Sequence, residues 1–332
     1  MDRSKTVERN VVHDALTGSA LAIDGHGCAL LDEAERTHAH TAVRSLFFPG
    51  CSIVNFAVPL MRKAYATLEE AGMADGISLL CCGKLLAFEP DAKAVRTAFE
   101  ADLRDALVES GVERIVAACP NCTVELRRIL LCDERTAAIS VEVLPEVLAS
   151  AGASLDERAV ERFFADNHMA VSGTVPRLAV HDSCPDRATG EFACGTRSLL
   201  PATLLVEMEH ARALSLCCGS LAKAAGKADV ATRQAIRRGE EGADAGADAI
   251  VTACMSCASQ LSRFQSELPA IHYLELLYNE RLAWDELPPY LQVRFLFEDH
   301  AGKRDFRGLG EMGTDLCGGC CAPCETDQRD GG

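Results

Sequence analysis

Along most of the chain, short apolar runs alternate with longer stretches whose apolar positions recur at helical spacing. Ser45–Phe48, Ile77–Leu80, Arg114–Ala118 and Ile139–Val143 are the runs of the first half, and Asp91–Ser110 is the clearest amphipathic stretch between them. Strands buried on both faces read as continuous apolar runs, and the crossovers joining parallel strands are usually helices, so this alternation predicts βαβ units. Leu178–His181, Ala213–Leu216, Ile250–Ala253 and Ile271–Tyr273 repeat the order in the second half. The expected fold is α/β: two pseudo-symmetric Rossmann-like repeats, each with a small parallel sheet and flanking helices.

The small-residue stretch Ala149–Ser154 reads as a linker before a helical segment, Leu155–Ala170. Four parts follow: an N-terminal extension over 1–43 with no nameable chemistry, a first domain over 44–150, a second over 151–280, and a C-terminal extension over 281–332. The longest charge-free stretch, Ser45–Met61, contains Pro49, Gly50 and Pro59. It therefore predicts a strand, a turn and a helix rather than a membrane span. The polar N-terminus lacks the apolar core of a secretory signal, which places the protein in the cytoplasm by expectation.

Composition adds two exclusions. With 48% hydrophobic and 25% charged residues the chain is ordinary globular material, so disorder is not the default. Its 33 basic against 49 acidic residues leave a charge of −16, which repels polyphosphates and gives no footprint for nucleic acid.

Seventeen cysteines change the picture most. In a long chain of a reducing compartment they point to metal ligation before disulfides. Cys51, Cys81, Cys82, Cys119 and Cys122 map onto Cys184, Cys217, Cys218, Cys254 and Cys257 at an offset of about 135 residues. The flanking text agrees: Leu79-Leu80-Cys81-Cys82-Gly83 faces Ser215-Leu216-Cys217-Cys218-Gly219, and Ile115-Val116-Ala117-Ala118-Cys119 faces Ile250-Val251-Thr252-Ala253-Cys254. Each group is expected directly after a strand, in the loop before a helix. Ligands of open α/β sheets bind beyond the carboxyl ends of strands, so the thiols of each half should converge there. Helix N-termini at that edge favour thiolate.

A tetrahedral zinc ion is closed by four ligands, whereas each half offers five thiols. A fifth is useful to a multi-iron cluster, in which adjacent cysteines bind different irons, so the count leans toward iron and sulfide without excluding zinc. Outside the repeat, Cys317, Cys320, Cys321 and Cys324 form two abutting CxxC units, read either as a third metal site or as a redox-active tail. Cys28, Cys132 and Cys194 read as small buried hydrophobes. His181 and Asp182 sit at a predicted strand end beside Cys184, as a proton donor or as loop-fastening groups. Lys84 follows the first Cys-Cys-Gly, where it either offsets cluster charge or is solvated. Glu69-Glu70 and Glu240-Glu241 read as solvated helix faces.

These motifs, Phe48-Pro49-Gly50-Cys51, Cys81-Cys82-Gly83 and Cys119-Pro120-Asn121-Cys122, then His181-Asp182-Ser183-Cys184, Cys217-Cys218-Gly219 and Cys254-Met255-Ser256-Cys257, resemble the CCG-domain proteins typified by the cysteine-rich subunit of heterodisulfide reductase. The resemblance runs from Leu46 to Tyr278. It implies an iron–sulfur centre in each copy, of [4Fe–4S] type and in the best-known members noncubane, bound by the ten cysteines. It also implies an oxidoreductase role: two centres flanking a disulfide and cleaving it by one-electron steps. This sequence departs from the family's usual text at Ser183-Cys184-Pro185, where relatives often have proline before the cysteine and histidine after it, at Met255 in place of a frequent proline, and at Ser220-Leu221-Ala222-Lys223 in place of glycine-rich sequence. No ferredoxin-type cysteine run is fused to the repeat, so electrons are expected from a ferredoxin-like or flavoprotein partner. Relatives also suggest an electron relay in a lactate-, glycolate- or succinate-type dehydrogenase complex. The rival from another class is a zinc-stabilised binding module.

Overall fold

The computed structural model describes residues 10–18, 20–24, 27–30, 42–88 and 92–287. An antiparallel sheet of β1 (Asn10–His13), β2 (Ala20–Asp24) and β3 (Gly27–Leu30) comes first. The first repeat then runs β4 (Ser45–Phe48), α1 (Cys51–Phe56), α2 (Val58–Glu70), β5 (Gly76–Ile77), α3 (Lys93–Glu109), β6 (Arg114–Ala117), α4 (Pro120–Leu130), β7 (Ser140–Val143) and α5 (Leu144–Ser150). After α6 (Glu157–Asp166), the second repeat runs β8 (Leu178–His181), α7 (Glu191–Leu199), β9 (Leu205–Val206), α8 (Ser220–Ala224), α9 (Ala228–Asp244), β10 (Ala249–Thr252), α10 (Met255–Phe264), β11 (Ala270–His272) and α11 (Tyr273–Leu277).

Both repeats form a four-stranded, wholly parallel sheet, in the order β5-β4-β6-β7 and then β9-β8-β10-β11. This is the expected α/β architecture. The central strands are buried on both faces, which is why Leu46, Phe47 and Phe48 form an unbroken apolar run in β4. Helix α3 buries Phe99, Leu103 and Leu107, spaced one turn apart on the face turned to the sheet. Prolines at the first turns of α4 and α5 occupy positions whose N–H would have no helical partner.

One expected strand is absent. Ala213–Leu216 is apolar enough, but Arg212 has φ +53°, and Arg212–Leu214 forms a 3₁₀ turn. Asp182 fastens that turn: its carboxylate accepts from the Arg212 N–H (2.6 Å) and its carbonyl from the Ser215 hydroxyl (2.5 Å). The edge strand is Leu205–Val206, upstream, so Cys217 and Cys218 follow a turn and not a strand. In the first repeat Cys81 likewise begins a few residues after the two-residue strand β5.

The halves pack directly on one another. Helix α5 lies on α7, α1 lies on α10, and α4 meets the Cys184–Asp186 turn. Arg127 of α4 holds Glu191 of α7 through two hydrogen bonds of 2.6 and 2.8 Å, and the hydroxyls of Ser52 and Ser256 meet at 2.5 Å. The N-terminal segment, which carries no motif, serves the first repeat: buried Asp14 accepts from the Leu79 N–H (2.6 Å) and the Ser78 hydroxyl (3.2 Å), pinning the loop that leads into Cys81-Cys82.

Candidate metal centres

The five cysteines of each set come together. In the first half side-chain contacts run from Cys51 to Cys81, Cys82, Cys122 and Cys119 in turn. In the second they run from Cys184 to Cys217, Cys218, Cys257 and Cys254. Cys184 and Cys217 sulfurs are 3.9 Å apart, Cys218 and Cys257 sulfurs 3.2 Å, and every cysteine whose side chain is described is a free thiol. The two sets do not face each other across open space, because Cys119 and Cys254, the N-caps of α4 and α10, meet side chain to side chain. Ten sulfurs thus form one series, buried in the middle and partly exposed only at Cys51, Cys184 and Cys217.

Local backbone explains the convergence. Gly50 has φ +80°, and a Cβ there would stand 2.8 Å from the Cys122 sulfur, so only glycine leaves that sulfur its place. Gly83 and Gly219 also have positive φ; a Cβ on Gly219 would strike the Ala231 backbone. The Gly219 N–H points at the Cys217 sulfur (3.4 Å), and backbone N–H groups of Asn121 and Cys122 at the start of α4 serve Cys119.

So many thiols at contact distance cannot all ionise. Hydrogen bonds from Cys122 and Cys81 hold Cys82 down to about 5, and those from Cys122 and Cys254 pull Cys119 well below the ordinary thiol value. Cys217 is lowered chiefly by its bond from Cys184. The remaining thiols Cys81, Cys122, Cys184, Cys218, Cys254 and Cys257 are pushed up, first by their hydrogen bonds to neighbouring cysteines and further by burial. Filling either set with a cation therefore displaces protons.

The residues fit a metal centre. Sulfurs 2.3 Å from one ion stand about 3.8 Å apart, close to the Cys184–Cys217 separation, and thiolate is the donor that zinc and iron–sulfur clusters share. His181, at the end of β8, is buried, and neither ring nitrogen has a hydrogen-bond partner. It groups with Cys218 and Cys257, with donor atoms within 4.8 Å of one another. Burial, reinforced by the nearby Arg238 charge, lowers its pKa to about 3, so the ring is a neutral imidazole and a poor proton donor.

Asp182 is bound to Arg197 at 2.6 and 3.0 Å and to the Arg212 turn, so it has the loop-fastening role. Lys84 is half-buried and lies 3.5 Å from buried Glu125, which also binds Arg96 and Arg128. Glu241 is a buried partner of fully buried Arg238, not a solvated face; Glu69, Glu70 and Glu240 are exposed. Cys132 and Cys194 are exposed, against the expectation that they are buried. Cys317, Cys320, Cys321 and Cys324 lie outside the described residues, as does the side chain of Cys28. Sequence reasoning missed Arg238 and His272. Both become visible when the halves are aligned, since they replace Leu103 and Val143 at matching places in α9 and at the end of β11.

A family model described as CCG, cysteine-rich domain, matches residues 45–127 and again 178–262, together just over half of the chain. The chain belongs to the CCG cysteine-rich domain family. CCG proteins are associated with iron–sulfur redox subunits, and the two matches hold the two cysteine sets. No curated protein sequence matches the chain. Among solved structures it is similar to an aspartate racemase homologue from Pyrococcus horikoshii OT3, with 10% identity over 70% of this chain and 95% of that one at a TM-score of 0.28. It is also similar to a putative Asp/Glu racemase from Yersinia pestis, with 8% identity over 71% and 96% at a TM-score of 0.29. Likeness at those scores bears on neither the fold nor the chemistry of a CCG protein. No helix among the described residues is long and apolar enough to cross a membrane.

Proposed function

We propose that the chain is an iron–sulfur redox protein resembling the cysteine-rich subunit of heterodisulfide reductase, passing electrons from a partner protein to a disulfide or a similar acceptor. The observation that carries this reading is the meeting of Cys119 with Cys254, which joins both thiol sets into one series. Closed structural zinc sites need four ligands each and gain nothing from touching, whereas electron transfer gains from adjacency. Cys51, Cys81, Cys82, Cys119 and Cys122 would hold one [4Fe–4S] cluster, noncubane by family resemblance, and Cys184, Cys217, Cys218, Cys254 and Cys257 the other. Bound clusters would supply single-electron exchange, and two of them match the two electrons of a disulfide.

The protein's own part is placement. Packed helices keep water from Cys82, Cys122, Cys218 and Cys257, while Cys51 at one end and Cys184 and Cys217 at the other stay partly open to an acceptor or donor. A ferredoxin-like or flavoprotein partner would deliver electrons there. One observation favours zinc as a second reading: the 3.9 Å separation of the Cys184 and Cys217 sulfurs suits two thiolates on a single tetrahedral ion. Titrating the anaerobically reduced, metal-loaded protein with a small disulfide tests the acceptor. One disulfide should reoxidise two electron equivalents, with bleaching or shift of the charge-transfer bands. No spectral response to any disulfide would contradict disulfide reduction and leave transfer to another protein.

A further inference from the structure

We propose that His181 is a metal ligand of the second centre, which makes that centre a mixed thiolate–imidazole site beside an all-thiolate first one. The inference rests on the metal loading proposed above and goes beyond it, since cysteine spacing gives no reason for a nitrogen donor.

The ring of His181 is 1% exposed, yet both Nδ1 and Nε2 lack a partner. A buried polar atom without a hydrogen bond costs about 1–3 kcal/mol, so such a group calls for a ligand that completes it. None of the polar groups nearby hydrogen-bonds the ring, and Ser183 Oγ and Arg238 Nε are themselves buried without a partner. Asp182 is held by Arg197 and the Arg212 N–H. Arg238, whose charge reaches the ring, directs its terminal nitrogens to Glu241, the His210 carbonyl (3.0 Å) and the Met208 sulfur (2.8 Å). What does lie beside the imidazole is the Cys218–Cys257 pair, with one nitrogen and two sulfurs inside a 4.8 Å group. Two thiolates and an imidazole at that spacing are ordinary donors for zinc, and imidazole also ligates cluster iron.

The first repeat provides an internal control. Phe48 ends β4 as His181 ends β8, so the matching place beside Cys82 and Cys122 is filled by a side chain that cannot ligate. Where the neutral imidazole takes the place of one of the second set's five thiolates, it removes negative charge from that centre and raises its reduction potential, as histidine ligation does in other clusters. With iron–sulfur in both halves, electrons would come to rest on the second centre.

The test uses the full chain carrying ¹⁵N only at histidine, loaded anaerobically with iron and sulfide. Pulsed EPR should detect a directly bound histidine nitrogen. X-ray absorption at the metal edge gives the same answer where the second set holds a single diamagnetic ion such as zinc. The signal should vanish in His181→Phe, which installs the first repeat's residue, and in His181→Cys, which retains a donor and so keeps the metal if Phe does not. It should persist in His272→Val, which removes the other buried imidazole of the second repeat. Metal in both halves with no histidine nitrogen bound, or a signal that survives both His181 variants, would overturn the proposal and spare the redox function. A second set that takes up neither cluster nor ion would overturn both.

Discussion

The two halves present the same sulfurs on the same framework and surround them differently. Around the first set stand Phe48, Pro49 and Gly50 at the end of β4, Leu103 on α3 and Val143 at the end of β7. Around the second, at matching places, stand His181, Asp182, Ser183, Arg238 and His272, all buried. At these positions the first half has apolar side chains and a glycine, and the second half has two imidazoles, a carboxylate, a hydroxyl and a guanidinium, one of the imidazoles, His272, lying by Cys119 of the first set. Donor identity is dictated by the metal and so keeps its form in both copies. Everything beyond the donors is free to diverge, and it is there that charge, hydrogen bonding and solvent access tune a centre. A duplicated fold thus yields two unequal sites from equal ligand sets.

The largest expected effects come from breaking one half at a time. Cys82→Ser should remove or perturb the first centre and leave the second spectroscopically intact, and Cys218→Ser should do the reverse, with a lower thermal midpoint in each case because metal binding is coupled to folding. Mössbauer or EPR spectra of the two variants decide it. Loss of both signals from either change would mean that the Cys119–Cys254 contact makes the sets one unit and that the comparison of halves is false.

A smaller effect sharpens the same contrast. Arg238→Leu writes the first half's residue into the second and strands Glu241, which is 9% exposed, without its buried cation. Removing one partner of a buried pair costs roughly 3–5 kcal/mol; the lower end is expected, since His210 and Arg237 also lie beside Glu241. Denaturant unfolding measures it. A loss below about 1 kcal/mol would show that the polar surroundings of the second half do not depend on that pair.

Much of this was legible in the sequence, for reasons that differ by residue. Ligation requires a residue type at a spacing, so both cysteine sets and their duplication could be read directly, and the apolar runs of β4, β6, β8 and β10 announced the parallel sheets. Of the edge strands, β7 and β11 could be read and β9 could not: it is two residues long, too short for periodicity, as is β5, which takes only Ile77 of the expected Ile77–Leu80 run, and Ala213–Leu216 became a turn because Asp182, distant in sequence, holds it. Burial of charge was equally hidden. Arg238 and Glu241 sit three residues apart and read as one turn of a solvated helix until α9 is packed against its neighbours. Asp14 lay in a segment without motif, and its task of fixing the Ser78–Leu79 loop is purely tertiary.

On this account both thiol sets hold iron and sulfide. Iron, acid-labile sulfide and zinc should be determined on the full chain purified and reconstituted without oxygen, together with its absorption spectrum. Two loaded centres require brown protein, charge-transfer absorption, and iron and sulfide in amounts that fall by half in either single-set cysteine variant. Reconstitution that yields only zinc, with no charge-transfer absorption, would contradict the claim and leave a zinc-stabilised binding module in its place.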